Sequence, residues 1–68
     1  MEIFELKGEH IALCDLLKLA GMANSGGQGK AMVGDGMVTV DGEVELRTTA
    51  KIRAGQVVEC MGQSVEVR

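Results

Sequence analysis

The residues best suited to chemistry lie together at one point of the chain, where glycines and a lysine follow a serine. Gln28 stands three residues after Ser25, the spacing of a capping box at the start of a helix. Backbone N–H groups at a helix N-terminus are unpaired donors, and glycines let a phosphate approach them closely. Ser25, Gly26 and Gly27 could therefore hold one phosphate, with Lys30 supplying charge. The alternative is that Ser25 only caps the helix and the glycines only allow two helices to pack.

Nothing in the chain predicts catalysis. The segment around Ser25 does not match a nucleotide-hydrolysing loop, because Ala31 stands where the magnesium-binding hydroxyl is required. His10 and Cys14 have no activating partner in a recognisable order. Cys14 and Cys60 are too far apart in sequence for a zinc-finger spacing, so we expect two reduced, buried thiols. The sequence predicts no catalytic residue, no metal and no cofactor.

A second basic group lies between Glu45 and Glu59, in a stretch without any acid. Its members are Arg47, Lys51 and Arg53. Charges spaced through a loop and a strand start can follow a nucleic-acid backbone, although a solvated loop has the same pattern. Lys18 and Lys30 would have to share this face to outweigh the remainder of a chain with a formal net charge of −3.

Composition narrows the class of protein further. With 68 residues, the chain can form one domain with a small core. Phe4 is its one aromatic residue, which excludes a base-stacking sheet of the RRM or OB type. The first residues lack the basic flank and apolar core of a secretory signal, and no apolar run approaches the roughly 18 residues of a membrane span. We therefore expect a cytoplasmic protein without a membrane partner.

The helices that would position these residues follow from the hydrophobic period. Alternation over Glu2 to Leu6 predicts a first strand. From His10 or Ile11 onward, apolar residues recur at the spacing of an amphipathic helix that Gly21 would end. A second helix should run from about Gly26 to Gly34, and its glycines require either close packing or close approach of a ligand.

The remainder of the chain predicts antiparallel strands. Met37 to Val40 should form a strand that turns at Asp41-Gly42, a strong two-residue hairpin signal, and returns over Glu43 to Arg47. We expect an irregular basic segment over 48–53, then two strands over 57–61 and 64–68 that are joined at Gly62-Gln63. These elements predict a single α+β domain.

This order of helix, turn, capped helix and hairpin resembles the S-four domain, a small RNA-binding domain named after ribosomal small-subunit protein four. The matching residues are Leu13, Leu16, Leu17, Lys18, Gly21, Ser25, Lys30, Gly36, Val38, Val40, Gly42, Lys51, Ile52, Gly55, Gln56 and Val57. With the first strand and the closing hairpin included, the chain is similar to the stand-alone YbcJ-like group of this family.

The resemblance implies a fold, a function and a set of contacts. The fold is an N-terminal strand, two packed helices, a β-hairpin and further antiparallel strands over residues 1–68, with an alpha-L motif over about 13–58. The function is binding of structured RNA, with ribosomal or transfer RNA as partner. The contacts carried over are Lys18, Ser25, Gly26, Lys30, Arg47, Lys51 and Arg53. The chain departs from the family pattern at Gly26, where many members have arginine, and at Asp41, where many have asparagine.

A protein-binding adaptor on the same fold, with weak or no RNA binding, is the alternative function. It is motivated by the acidic residues that crowd the first fifteen positions, namely Glu2, Glu5, Glu9 and Asp15. In either case we expect a monomer that is not an enzyme.

Overall fold

The computed structural model describes all residues from Met1 to Arg68 and contains two helices and seven strands. In chain order these are β1 (Glu2–Phe4), β2 (Ile11–Ala12), α1 (Leu13–Leu19), α2 (Gly26–Gly34), β3 (Val38–Val40), β4 (Glu43–Val44), β5 (Lys51–Ile52), β6 (Val57–Cys60) and β7 (Gln63–Val67). Neither helix has the length and apolar character that a membrane span requires.

The first helix begins later than its hydrophobic period predicts. Ile11 and Ala12 are extended and form β2, which pairs antiparallel with β5 so that Ile11 lies opposite Ile52. The apolar stripe itself is correct, since Leu13, Leu16 and Leu17 are fully buried. Gly21 adopts a φ of +80° directly after the C-cap, which confirms the predicted end of α1.

The second helix has the predicted bounds and the predicted cap. The Ser25 Oγ accepts a hydrogen bond of 3.1 Å from the Gln28 N–H. The Gln28 side chain reaches back one residue further than in an ordinary capping box and accepts from the Asn24 N–H. Both bonds hold the loop before α2 against the first turn of the helix.

Five strands form the main sheet in the order β1-β7-β6-β3-β4. The predicted hairpin at Asp41-Gly42 is present, and both residues have positive φ. Its return strand is short, since β4 ends at Val44 rather than at Arg47. Within the predicted irregular segment, Lys51–Ile52 forms β5.

The closing hairpin joins β6 and β7, but its turn lies one residue earlier than predicted. Met61 and Gly62 form the turn with φ of +52° and +79°, because Gln63 pairs with Cys60 in the sheet. The local pattern did not predict that β1 pairs parallel with β7 at the edge of the sheet.

A single hydrophobic cluster of 13 buried residues joins the helices to strands β3, β5, β6 and β7. Cys60 belongs to this cluster, and burial raises the pKa of its thiol. Cys14 and Cys60 are both free and buried, as the sequence predicts.

Candidate nucleic-acid interface

The start of α2 presents donors that the protein leaves unpaired. The Gly26 and Gly27 N–H groups have no acceptor in the protein, whereas the next two N–H groups bond to Ser25. A Cβ built on Gly26 would meet nothing within 4 Å, so the space beside this residue is open. The first turn of α2 could therefore accept an anion, since unpaired N–H groups and the helix dipole both favour negative charge.

Close packing accounts for one glycine of this segment. A Cβ on Gly29 would lie 2.9 Å from the carbonyl oxygen of Cys14, so only glycine lets α2 approach the start of α1 this closely. Lys30 is the next residue of α2 and is exposed. The packing explanation holds for Gly29 but not for Gly26 or Gly27, which face open space or the cap.

The basic segment is attached to α1 by backbone hydrogen bonds. The first residues of α1 have no side-chain cap. The Leu13 N–H donates instead to the Ala50 carbonyl at 2.9 Å, and the Cys14 N–H donates to the Thr48 carbonyl at 3.0 Å. These bonds satisfy two of the donors that a helix N-terminus leaves open, and they hold the segment 47–51 against α1.

The start of α1 thus connects both groups of predicted contacts. Lys30 follows the residue that touches Cys14, Arg47 precedes the residue that bonds to Cys14, and Lys51 lies opposite Ala12 in the sheet. Lys18 is exposed one turn further along α1. We call Lys18, Ser25, Gly26, Lys30, Arg47, Lys51 and Arg53 the basic surface.

The cations of the basic surface differ in whether they are already paired with an acid. Arg47 Nε lies 3.3 Å from Glu45 Oε2, and this contact raises the pKa of Arg47 and lowers that of Glu45. Glu45, which borders the basic stretch, is therefore paired with Arg47, the first arginine of that stretch. Lys18, Lys30, Lys51 and Arg53 are exposed and form no ion pair.

Arg53 lies in a turn that side chains hold in place. Its N–H donates to the Gln56 Oε1 at 2.7 Å, and the Gln56 Nε2 donates to Asp41 Oδ2 at 3.4 Å. The Val57 N–H donates to Asp41 Oδ1 at 2.9 Å. The hairpin tip thereby positions the Arg53 turn through Gln56.

Sequence reasoning missed this positioning role of Asp41 and Gln56. The only local signals were an aspartate in a turn that favours left-handed backbone and a glutamine beside Gly55. The carboxylate of Asp41 bonds to the start of β6, and its link through Gln56 to the Arg53 N–H brings a negative charge to the Arg53 turn.

No group of three or more histidine, cysteine or acidic side chains lies together in a way that could bind a metal ion. Four acidic residues motivate the alternative of a protein-binding adaptor, and all of them are exposed, namely Glu2, Glu5, Glu9 and Asp15. Three of them lie on β1 and in the loop after it, whereas Asp15 lies in the first turn of α1, directly after the Cys14 whose N–H bonds to Thr48.

Comparison with known proteins assigns the fold to a family. The model of the S4 domain, the S-four domain named above, matches residues 4–68, and the chain therefore belongs to the S4 domain family. It is 52% identical to "Putative RNA-binding protein YbcJ" of Escherichia coli, over 98% of this chain and 97% of that protein. A YbcJ protein of Shigella flexneri matches with the same identity and coverage.

Solved structures confirm the predicted architecture. The solution structure of YbcJ from Escherichia coli, described as revealing an alpha-L motif involved in RNA binding, matches with a TM-score of 0.76 and 51% identity, over 98% of this chain and 86% of that chain. Ribosomal protein S4e of Thermoplasma acidophilum matches with a TM-score of 0.64 and 22% identity, over 85% of this chain and 31% of that chain, which shows the fold alone. The Escherichia coli protein is named for RNA binding and not as an enzyme, in agreement with the prediction of a non-enzymatic protein.

Proposed function

We propose that this protein binds structured RNA without catalysing a reaction, and that it holds phosphates between the start of α2 and the segment 47–53. Ribosomal or transfer RNA is the partner class that we favour. The names of the relatives at 51–52% identity support RNA as the ligand. The residues of the basic surface are our assignment for the contacts.

One observation carries the proposal: two independent contacts at the start of α1 bring the basic elements together. Gly29 brings α2 against Cys14, and the Thr48 and Ala50 carbonyls bind the first N–H groups of α1. Lys30, Arg47 and Lys51 are distant in sequence but belong to segments that meet at this helix end, from which they could contact successive phosphates of a folded RNA.

Charge and composition favour recognition of shape and phosphates over stacking on aromatic side chains. The chain has a single aromatic residue, and a net charge of −3 disfavours binding to any polyanion without a local basic surface. Four cations of the basic surface are unpaired, namely Lys18, Lys30, Lys51 and Arg53. If each neutralises one phosphate, the logarithm of the RNA association constant should fall with the logarithm of the salt concentration with a slope of about −3 to −4.

Single substitutions test the assignment. Lys30→Ala and Arg53→Ala should each weaken binding to a structured RNA and reduce the salt slope by about 1. Lys7→Ala is a matched control, because Lys7 is also exposed and unpaired but follows β1, outside the basic surface. Unchanged affinity and slope in Lys30→Ala and Arg53→Ala, or an equal loss in Lys7→Ala, would contradict the proposal.

The proposal includes action as a monomer in the cytoplasm. Folded ribosomal and transfer RNAs are available there, and a reducing compartment suits two unpaired cysteines.

A protein-binding role is the second candidate, and an apolar cavity favours it. An open cavity of about 330 Å³ beside β1 is lined mainly by Phe4, Leu6, Ile11 and Leu19. The Leu19 residue is 61% exposed, and Glu5 also lines the cavity. A pull-down from lysate distinguishes the candidates: partners that survive nuclease treatment would support an adaptor, whereas recovery of nuclease-sensitive material alone would exclude it.

A further inference from the structure

A groove of about 500 Å³ lies beside the start of α2, outside the basic surface described above. Four of the five methionines of the chain line it, namely Met22, Met32, Met37 and Met61. They come from the loop after α1, from α2, from the residue before β3 and from the β6–β7 turn. The fold therefore collects nearly all of its thioethers at one place.

Three amide side chains and Gly21 complete the lining of the groove, which contains no charged residue. The Asn24 and Gln63 amides make no hydrogen bond in the protein, and Gln28 uses only its carbonyl oxygen, so its NH₂ group is free. An uncharged amide presents a donor and an acceptor side by side, which is the pattern that pairs with the edge of a nucleobase. The groove thus combines four thioethers with exposed amide groups that have no partner within the protein.

Met61 has a left-handed backbone conformation, which is unusual for methionine. It has a φ of +52° in a two-residue hairpin turn, where asparagine, aspartate or glycine is usual. Its side chain is 72% exposed, so packing in the core does not explain it. The hairpin accounts for the backbone of Met61 but not for a methionine side chain here, which is exposed at the rim of the groove where a ligand could contact it.

From these observations we infer that the groove takes one unpaired nucleobase of the bound RNA. Thioethers would contact the face of the base, because sulfur packs favourably against aromatic rings. The Asn24, Gln28 and Gln63 amides would bond to its polar edge. The position of the groove favours a base over a peptide side chain, because the unpaired Gly26 and Gly27 N–H groups beside it could hold the phosphate of the same nucleotide.

The inference rests on the proposed function and extends it. Asn24 and Gln28 lie on either side of Ser25 in the cap of α2, where the unpaired N–H groups could hold a phosphate. A nucleotide with its phosphate at Gly26 would have its base beside the groove. The preferred RNA is then a duplex interrupted by an unpaired nucleotide rather than a continuous duplex.

Methionine-methyl NMR with three RNAs tests this directly. The RNAs are one hairpin with a continuous stem, the same hairpin with a single bulged adenosine, and the same bulge with an abasic residue that keeps the backbone but lacks the base. The bulged adenosine should shift the methyl signals of the groove methionines upfield, whereas the abasic and continuous RNAs should not. Met1 is 76% exposed and outside the groove, so its methyl signal is an internal control.

Affinity and two variants provide the second readout. The bulged adenosine should bind about three- to tenfold more tightly than the abasic bulge. Met61→Asn suits the turn and removes the thioether, and Gln63→Ala removes an amide from an exposed position. Each should abolish most of this preference while leaving affinity for the continuous hairpin unchanged.

The outcomes separate this inference from the proposed function. If the continuous hairpin binds and the bulged and abasic RNAs give equal affinities and equal methyl shifts, RNA binding stands and the base site is wrong. If none of the three RNAs binds, both are wrong. If the groove methyl signals change on raising the protein concentration without RNA, the groove is a contact between copies of this chain and the base site is overturned.

Discussion

A methyl group added to Gly29 would lie 2.9 Å from the carbonyl oxygen of Cys14. This oxygen belongs to the backbone of α1, so it cannot move aside as a flexible side chain could. The contact sets the distance between α1 and α2, and with it the position of Lys30 relative to the segment that bonds to α1. The spacing of the basic surface therefore depends on one residue without a side chain.

Replacing this glycine should separate the helices. We expect Gly29→Ala to lower the free energy of unfolding by about 1–3 kcal/mol, measured by urea denaturation, because the added carbon overpacks a backbone contact. Gly27→Ala is the matched control in the same helix, where the new carbon would lie 3.8 Å from the Ser25 Oγ, an ordinary van der Waals contact. The control should be neutral or stabilising by up to about 1 kcal/mol, since alanine is the better helix former. Equal losses in both variants would contradict this explanation of Gly29.

The Glu45–Arg47 pair should restrain RNA binding. The Glu45 carboxylate is charged at neutral pH, and because the contact with Arg47 lowers its pKa, the pairing is lost only as pH falls through that lowered value. Glu45→Gln should raise RNA affinity about two- to fivefold at low salt by freeing Arg47, as measured by fluorescence anisotropy.

Glu66→Gln is the control for that substitution. It makes the same change in charge and frees Arg68, which pairs with Glu66 at the end of β7 rather than within the basic surface. An equal gain in the two variants would show that only net charge matters and would remove Arg47 from the assigned contacts.

Stability should fall in alkaline solution because of Cys60. Burial raises the pKa of this thiol in the folded state, whereas the unfolded thiol ionises near its ordinary value of about 8.5. Below the unfolded pKa, this difference in pKa contributes fully to the free energy of unfolding. The contribution is lost as pH rises from the unfolded pKa through the folded pKa, with a slope of at most about 1.4 kcal/mol per pH unit. Urea denaturation between pH 8 and pH 10 should show this decrease, and Cys60→Ala should have a shallower one. The same slope in both proteins would refute the assignment to Cys60.

The bonds of Asp41 predict different effects for two substitutions at the hairpin tip. Asp41→Ala removes both acceptors and a residue that tolerates a φ of +52°, so it should lower the free energy of unfolding by about 1–2 kcal/mol. Asp41→Asn keeps an acceptor for the Val57 N–H and tolerates the same backbone, so it should remain close to the parent in stability. It should also bind RNA more tightly, because a negative charge near Arg53 is gone. If Asp41→Asn is as unstable as Asp41→Ala, the Gln56 bond matters more than the Val57 bond.

Local rules predicted the features that depend on a few neighbouring residues. The bounds of α2, the Ser25 cap and the Asp41-Gly42 turn follow from capping chemistry and from residues that accept positive φ. The predicted family and architecture were correct for the same reason, because the resemblance depends on the capping and turn residues that connect the elements.

Features that depend on distant partners were not predictable in this way. Ile11–Ala12 is extended only because β5 pairs with it, and Met61 turns the chain only because Gln63 pairs with Cys60. The ion pair of Arg47 reflects a side-chain conformation that sequence spacing does not specify. The methionine groove likewise combines residues from four parts of the chain that only the fold brings together.

The central claim is tested most directly by a fluorescence titration of the purified protein against a structured RNA and a duplex DNA of equal length, each at two salt concentrations. We expect binding that favours the RNA and weakens as salt rises, with a slope set by about four phosphate contacts. Absence of RNA binding at low salt, or equal binding to the DNA, would contradict the account and direct attention to the apolar cavity beside β1.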